Sequence, residues 1–158
     1  MDINQNSNKT LKKGKLRIFF GMASGVGKTY EMLEAANVLK SEGRDIVIGY
    51  IETHNRFAIE DIAENLEKIK YKAFHDTNTT FFEPDIDIII SRNPEIVIID
   101  DLSHSNTLGS RHKKRYQDIL ELLNYGINVW TTLNVQNIES RATIVEQITG
   151  IEVKETVP

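Results

Sequence analysis

Apolar residues recur along this chain in short blocks that switch between two periods. Leu16 to Phe20 is a compact apolar run suited to a buried strand. From Thr29 to Lys40 the spacing changes, and Met32, Leu33, Ala36 and Leu39 fall three and four apart on one helical face. Gly43 stands where a helix C-terminal glycine belongs. Ile46 to Ile51 is almost wholly apolar, as expected of a strand covered on both faces. Ile59, Ile62, Ala63, Leu66 and Ile69 predict the next helix, and Tyr71 to Pro84 reads as a polar connection.

Asp85 to Ser91 is the ambiguous stretch. Its four isoleucines favour a strand by propensity. A strand there would nevertheless form a hairpin with Ile96–Ile99 in an otherwise alternating pattern, so a short helix ended by Asn93-Pro94 is preferred. Ile96 to Ile99 then reads as a strand, Tyr116 to Asn124 as a helix, and Ile127 to Leu133 as a strand. Gln136 to Thr149 predicts a last helix and Ile151 to Val153 a last strand. Strands alternating with helices imply an α/β domain: a mainly parallel sheet of about five strands, with helices on both faces.

Between the first strand and the first helix lies Gly21-Met22-Ala23-Ser24-Gly25-Val26-Gly27-Lys28-Thr29. Glycines let successive backbone N–H groups converge on an anion, and a helix N-terminus adds partial positive charge. That layout is a phosphate-binding loop, and it makes the expected fold P-loop NTPase-like. Lys28 is placed to reach β- and γ-phosphates, and the Thr29 hydroxyl to ligate Mg²⁺. The candidate nucleotide-binding residues are Ala23, Ser24, Gly25, Val26, Gly27, Lys28, Thr29 and Tyr30. Met22 departs from the usual pattern, which places Gly or Ala there.

Asp100-Asp101 follows the four apolar residues Ile96–Ile99. A carboxylate at the end of a buried strand can hold Mg²⁺ opposite Thr29, and Asp100 is the candidate. Asp101 is placed to orient or deprotonate a nucleophile. Glu52-Thr53-His54 with Arg56 and Thr131 to Gln136 end two other strands, on the phosphate side if the sheet is parallel. The basic run Arg111-His112-Lys113-Lys114-Arg115 offers Arg111 as a catalytic cation for a transferring phosphoryl group, against the plainer reading of a solvated loop. The spacing of His54, His104 and His112 matches no metal pattern.

Composition narrows the field further. At 158 residues and 40% hydrophobic, the chain suits one domain with a single core. Residues 1–15 are polar, lack the apolar stretch of a signal peptide, and read as a disordered lead-in to a domain spanning 16–158. No run of apolar residues is long enough to insert in a membrane. The absence of cysteine fits a reducing cytoplasm. A net charge of −4 argues against a nucleic-acid partner.

Taken together, Gly25 through Leu33, Glu52-Thr53-His54, Asp100 through Asn106, Gly109 through His112, Lys114-Arg115, Gln117-Asp118, Thr131 through Gln136 with Glu139-Ser140, Thr149-Gly150 and the closing Glu155 through Pro158 are distinctive. In these stretches the chain resembles the N-terminal domain of the KdpD family, the potassium-responsive bacterial sensor kinases. The resemblance runs from Gly14 to Pro158. It implies a cytoplasmic module that binds ATP and Mg²⁺ and regulates a histidine kinase of a two-component system controlling a potassium-uptake pump. Implied partners are the remainder of such a sensor and the pump, with an oligomer as an open alternative. The family's stress-protein-like, membrane and phosphotransfer domains have no counterpart here, so the expectation is a piece of a sensor or a free-standing relative. Three positions depart from the family habit: Asp101 replaces a glutamate, Asn55 a glycine and Asn137 a histidine. Asp101 is about 1.5 Å shorter in reach than glutamate, which would misplace a catalytic carboxylate.

Two functions share these residues: a regulatory ATP-binding module, and a phosphotransferase or ATPase passing the γ-phosphoryl group to a protein hydroxyl or to water. A small-molecule kinase of the thymidine-kinase kind is a weaker third, since the zinc-ribbon cysteines are missing.

Overall fold

The computed structural model describes residues 12–21, 26–53, 56–134 and 153–156. In chain order the elements are β1 Leu16–Gly21, α1 Val26–Ser41, β2 Ile46–Tyr50, α2 Phe57–Ala63, β3 Glu67–Lys68, β4 Lys72–His75, β5 Thr80–Glu83, α3 Ile86–Arg92, β6 Ile96–Ile99, α4 Arg115–Asn124, β7 Asn128–Asn134 and β8 Val153–Thr156. The main sheet has the order β3-β2-β6-β7-β1-β8, and every pairing in it is parallel. Five strands of four residues or more carry it, with the two-residue β3 at one edge. Among the described residues, no helix is long and apolar enough to cross a membrane.

Two hydrophobic clusters sandwich this sheet. Met32, Leu33 and Ala36 of α1 and Ile59 and Ala63 of α2 pack with Phe19, Ile48, Ile98 and Trp130 on one face. Ile86 and Ile89 of α3 and Ile119, Leu122 and Leu123 of α4 pack with Leu16, Ile18, Val97 and Val129 on the other. Alternate residues of one strand therefore enter opposite cores, which is why the strands read as continuous apolar runs.

The preference for a helix after Asp85 holds. The Asp85 carboxylate accepts the Ile88 amide at 3.2 Å, and Asn93 closes the helix in the left-handed region at φ 51°. Ile86 and Ile89, three apart, are buried, whereas Ile88 faces solvent. Gly43 supplies the positive φ that ends α1.

Two expectations are corrected. The helix expected to run through Ile69 stops at Ala63. Leu66 and Ile69 are buried after it, flanking β3, whose pairing with Val47 and Ile48 competes with further helix. The supposed polar connection from Tyr71 to Pro84 contains an antiparallel hairpin, β4 with β5, in which Phe74 faces Phe81 across the ladder. Ordered contacts also begin before Leu16: the Gly14 amide donates to Leu123 O at 2.8 Å, and the Lys15 amide to Asn128 Oδ1 at 2.8 Å. The helix expected over Gln136–Thr149 lies outside the described residues.

Candidate active site

Because all strands of the main sheet run parallel, Gly21, Tyr50, Ile99 and Asn134 end at one edge. Ala23, Ser24 and Gly25 lie outside the described residues; Val26 is the first residue of α1. Lys28, in the first turn of α1, lays its aliphatic stem back over the end of β1. A Cβ added at Gly21 would sit 2.6 Å from Lys28 Cδ, so glycine makes room for the lysine. Desolvation holds the Lys28 ammonium below its usual pKa, and the negative charges of Asp100 and Asp101 pull the other way. Thr29 is buried one residue on, and Tyr30 is part-exposed on the same turn.

Asp100 follows β6 and is 2% exposed. Thr29 Oγ1 lies 3.2 Å from its Oδ2 and 3.4 Å from its Oδ1. The Glu52 amide donates to Oδ2 at 3.0 Å, and the Thr132 hydroxyl donates to Oδ1. Burial pushes the Asp100 carboxyl up from its ordinary pKa; the donors from Thr132, Glu52 and Thr29 oppose that rise. The three strand-end clusters singled out in the sequence thus meet on one carboxylate. Such a site is acidic, oxygen-rich and faced by a lysine, which suits a magnesium-bound polyphosphate. Among the described residues, no three His, Asp or Glu side chains converge as a metal cage. A magnesium ion shared with phosphate oxygens needs no such cage.

Asp101 diverges from its neighbour. Its backbone turns into the left-handed region at φ 63°, its amide donates to Thr132 Oγ1 at 2.9 Å, and its Oδ1 accepts from Ser103 Oγ at 3.0 Å. The single Thr132 hydroxyl therefore receives from one aspartate's backbone and donates to the other's side chain.

Arg111 is held elsewhere, by Asp87 of α3 and by Glu121 of α4 at 2.6 Å. Arg115, at the far end of the same basic run, reaches the strand end instead. Fully buried, it donates from one NH group to Asp100 O at 2.9 Å and from the other to Glu83 Oε1 at 2.7 Å. Its guanidinium also lies 4.4 Å from the centre of the Tyr50 ring.

Glu83 in turn accepts from the Thr107 amide and hydroxyl, both at 2.8 Å, and lies 3.1 Å from His104 Nε2. Burial alone would raise its pKa. The contacts with His104, Thr107 and Arg115 outweigh burial and bring it to about 2. Sequence reasoning missed this pair, because Glu83 sat in the supposed connection and Arg115 in a run with the composition of a solvated loop. The flanking signal was Phe74 and Phe81-Phe82 around a turn-rich Asp76–Thr79, a hairpin pattern.

The family described as "KdpD: Osmosensitive K+ channel His kinase sensor domain" matches residues 12–158. The chain is 49% identical over 150 residues to the sensor protein KdpD of Clostridium acetobutylicum, covering 95% of this chain and 17% of that protein. Against the sensor protein KdpD of Escherichia coli K12 it is 47% identical over 146 residues, 92% of this chain and 16% of that one. A putative sensor protein KdpD of Synechocystis is 42% identical over 147 residues, 93% of this chain and 40% of its own length. The chain thus spans about a sixth of the length of the first two relatives.

Proposed function

The chain belongs to the KdpD family of sensor domains, and from that premise we propose that it is a P-loop module that binds ATP with Mg²⁺ and regulates a KdpD-type sensor kinase on the cytoplasmic side of the membrane. The observation that carries this reading is the meeting of Lys28, Thr29 and Asp100 at the ends of parallel strands, with Lys28 folded over Gly21 and Thr29 against the buried carboxylate. Lys28 and the backbone amides of the glycine-rich segment before it would hold the β- and γ-phosphates, and Thr29 and Asp100 the Mg²⁺. The ion, when bound, neutralises phosphate charge. Thr132 and the Glu52 amide orient Asp100 by occupying its inward lone pairs.

Calorimetric titration of the protein with ATP, with and without Mg²⁺, tests the reading. Lys28→Ala is expected to weaken ATP about tenfold to a hundredfold, since it removes a charged hydrogen-bond donor worth ~1.5–3 kcal/mol. Unchanged affinity in that variant would sink the proposal. The remainder of the sensor and the potassium pump are the proposed partners, and control of potassium uptake the proposed output.

One observation favours a second reading, phosphoryl transfer to a protein hydroxyl or to water. The Asp101 charge opposes the desolvation that lowers the Lys28 pKa, which supports a second carboxylate beside that lysine. Against it, Ser103 already occupies one Asp101 oxygen. Labelled-phosphate release or transfer that survives Asp101→Asn excludes Asp101 as the base.

A further inference from the structure

The β4–β5 hairpin stands outside the main sheet, and its two strands are largely exposed. Tyr71 immediately precedes it and Glu83 ends it. Unlike most of the residues between them, these two turn inward. Each bears on Asp100 through one intermediate group, one by way of its side chain and the other by way of its backbone.

At the leading end, the Tyr71 hydroxyl accepts from the Ile51 amide at 3.1 Å. The next amide along the chain, that of Glu52, donates to Asp100 Oδ2 at 3.0 Å. Two consecutive amides after β2 are thus committed together, one to the tyrosine before the hairpin and one to the carboxylate. At the closing end, Glu83 Oε1 holds one arm of the Arg115 guanidinium at 2.7 Å, and the other arm donates to Asp100 O at 2.9 Å. Tyr50 touches both paths: its ring centre lies 4.9 Å from that of Tyr71 and 4.4 Å from the Arg115 guanidinium.

Asp100 is 2% exposed, so protein groups rather than water set the direction of its carboxylate. Groups that orient a metal-binding side chain tune metal affinity by about tenfold to a hundredfold. We propose that Tyr71 and Glu83 are positioning residues for the magnesium aspartate, and that the hairpin they bracket is coupled to the binding of magnesium-ATP. The proposal rests on the nucleotide reading and gives that site a means of regulation, since contacts on the exposed strands act on Asp100 through both ends of the hairpin. Coupling is reciprocal: the factor by which an ordered hairpin tightens magnesium-ATP is the factor by which magnesium-ATP stabilises the hairpin.

Hydrogen exchange of the unmodified protein, read by mass spectrometry over residues 72–83, tests that reciprocity. Magnesium-ATP is expected to slow exchange there about fivefold or more, and ATP without the metal to leave it unchanged. Calorimetry then takes three variants. Glu83→Ala is expected to weaken magnesium-ATP about tenfold, and Glu83→Gln, which keeps an oxygen acceptor for Arg115, to recover part of the loss. Tyr71→Phe, which loses only the hydroxyl, is expected to weaken it about threefold to tenfold. Affinity for metal-free ATP is expected to hold in each variant, a split that general loosening of the fold does not produce.

Unchanged exchange over 72–83 in protein that binds magnesium-ATP overturns the proposal and leaves the nucleotide reading standing. Equal losses of ATP affinity with and without Mg²⁺ overturn it as well. Absence of any ATP binding by the unmodified protein overturns both.

Discussion

Two ion pairs of equal length stand at opposite edges of the same sheet. Arg115 meets Glu83 at 2.7 Å beside the candidate active site, with side chains 0% and 4% exposed. At the other edge Arg92 meets Asp45 at 2.7 Å and Glu67 at 3.0 Å, and these three side chains are between 33% and 50% exposed. Distance does not separate them; water does. The exposed cluster ties the end of α3 to the approaches to β2 and β3 and is screened by solvent. The buried pair has no solvent to fall back on, so removing either partner leaves a charge stranded. Arg115 also fixes the Asp100 carbonyl, which makes the buried pair part of the site's scaffold and the exposed one a clamp on its periphery.

The sharpest way to break this contrast is Arg115→Met. It strands the Glu83 carboxylate, and a loss of about 3–5 kcal/mol is expected in urea unfolding. A loss under about 1 kcal/mol would make the two edges energetically alike.

Acid titration should expose the same difference without mutation. Glu83 has a folded pKa of about 2 against an ordinary 4.5. Its depressed value means that its stabilisation is complete above pH 4.5 and is lost as pH falls toward 2. The loss should total about 3 kcal/mol, and Glu83→Gln should flatten that part of the stability–pH curve.

A neighbouring acid sharpens the point. Asp118 is also buried, but its carboxylate accepts from the neutral amide of Asn106 at 2.7 Å rather than from a cation. Burial therefore prevails over the opposing effects of Asn106, His112 and Arg115, and its pKa rises from 3.8 to about 6. The unfolded chain ionises first, so stability falls as pH rises from about 4 through 6 and stays lower above. Asp118→Asn should stabilise the protein at pH 8 by about 1–3 kcal/mol and have little effect near pH 3, measured by thermal melts at both values. The smallest effect is expected at the amino edge. Arg92→Ala should cost under about 1 kcal/mol, and less as salt is added.

Much of the site was legible because its chemistry is local. Gly27-Lys28-Thr29 announces a helix start, and four apolar residues ending in Asp100 announce a strand that delivers a carboxylate. Thr132 and Glu52 were flagged as strand ends on the same side, and parallel pairing carries them to Asp100. Arg115 was not legible as a buried residue. A cation in a basic run has the same composition whether water or Glu83 receives it, and the answer depends on a hairpin that folds outside the main sheet. That hairpin was itself obscured, since both of its strands are largely exposed and Phe81 and Phe82 carry no single buried face.

The sequence by itself determined the alternation of strand and helix, the short helix between Asp85 and Asn93, and the family to which the chain belongs. These follow from periodicity, capping and motif, which act within a few residues of chain. Tertiary structure alone decided which of two adjacent aspartates turns inward and which end of a basic run is buried. Those outcomes are set by desolvation, and whether a charge keeps its water is known only once distant segments have packed around it.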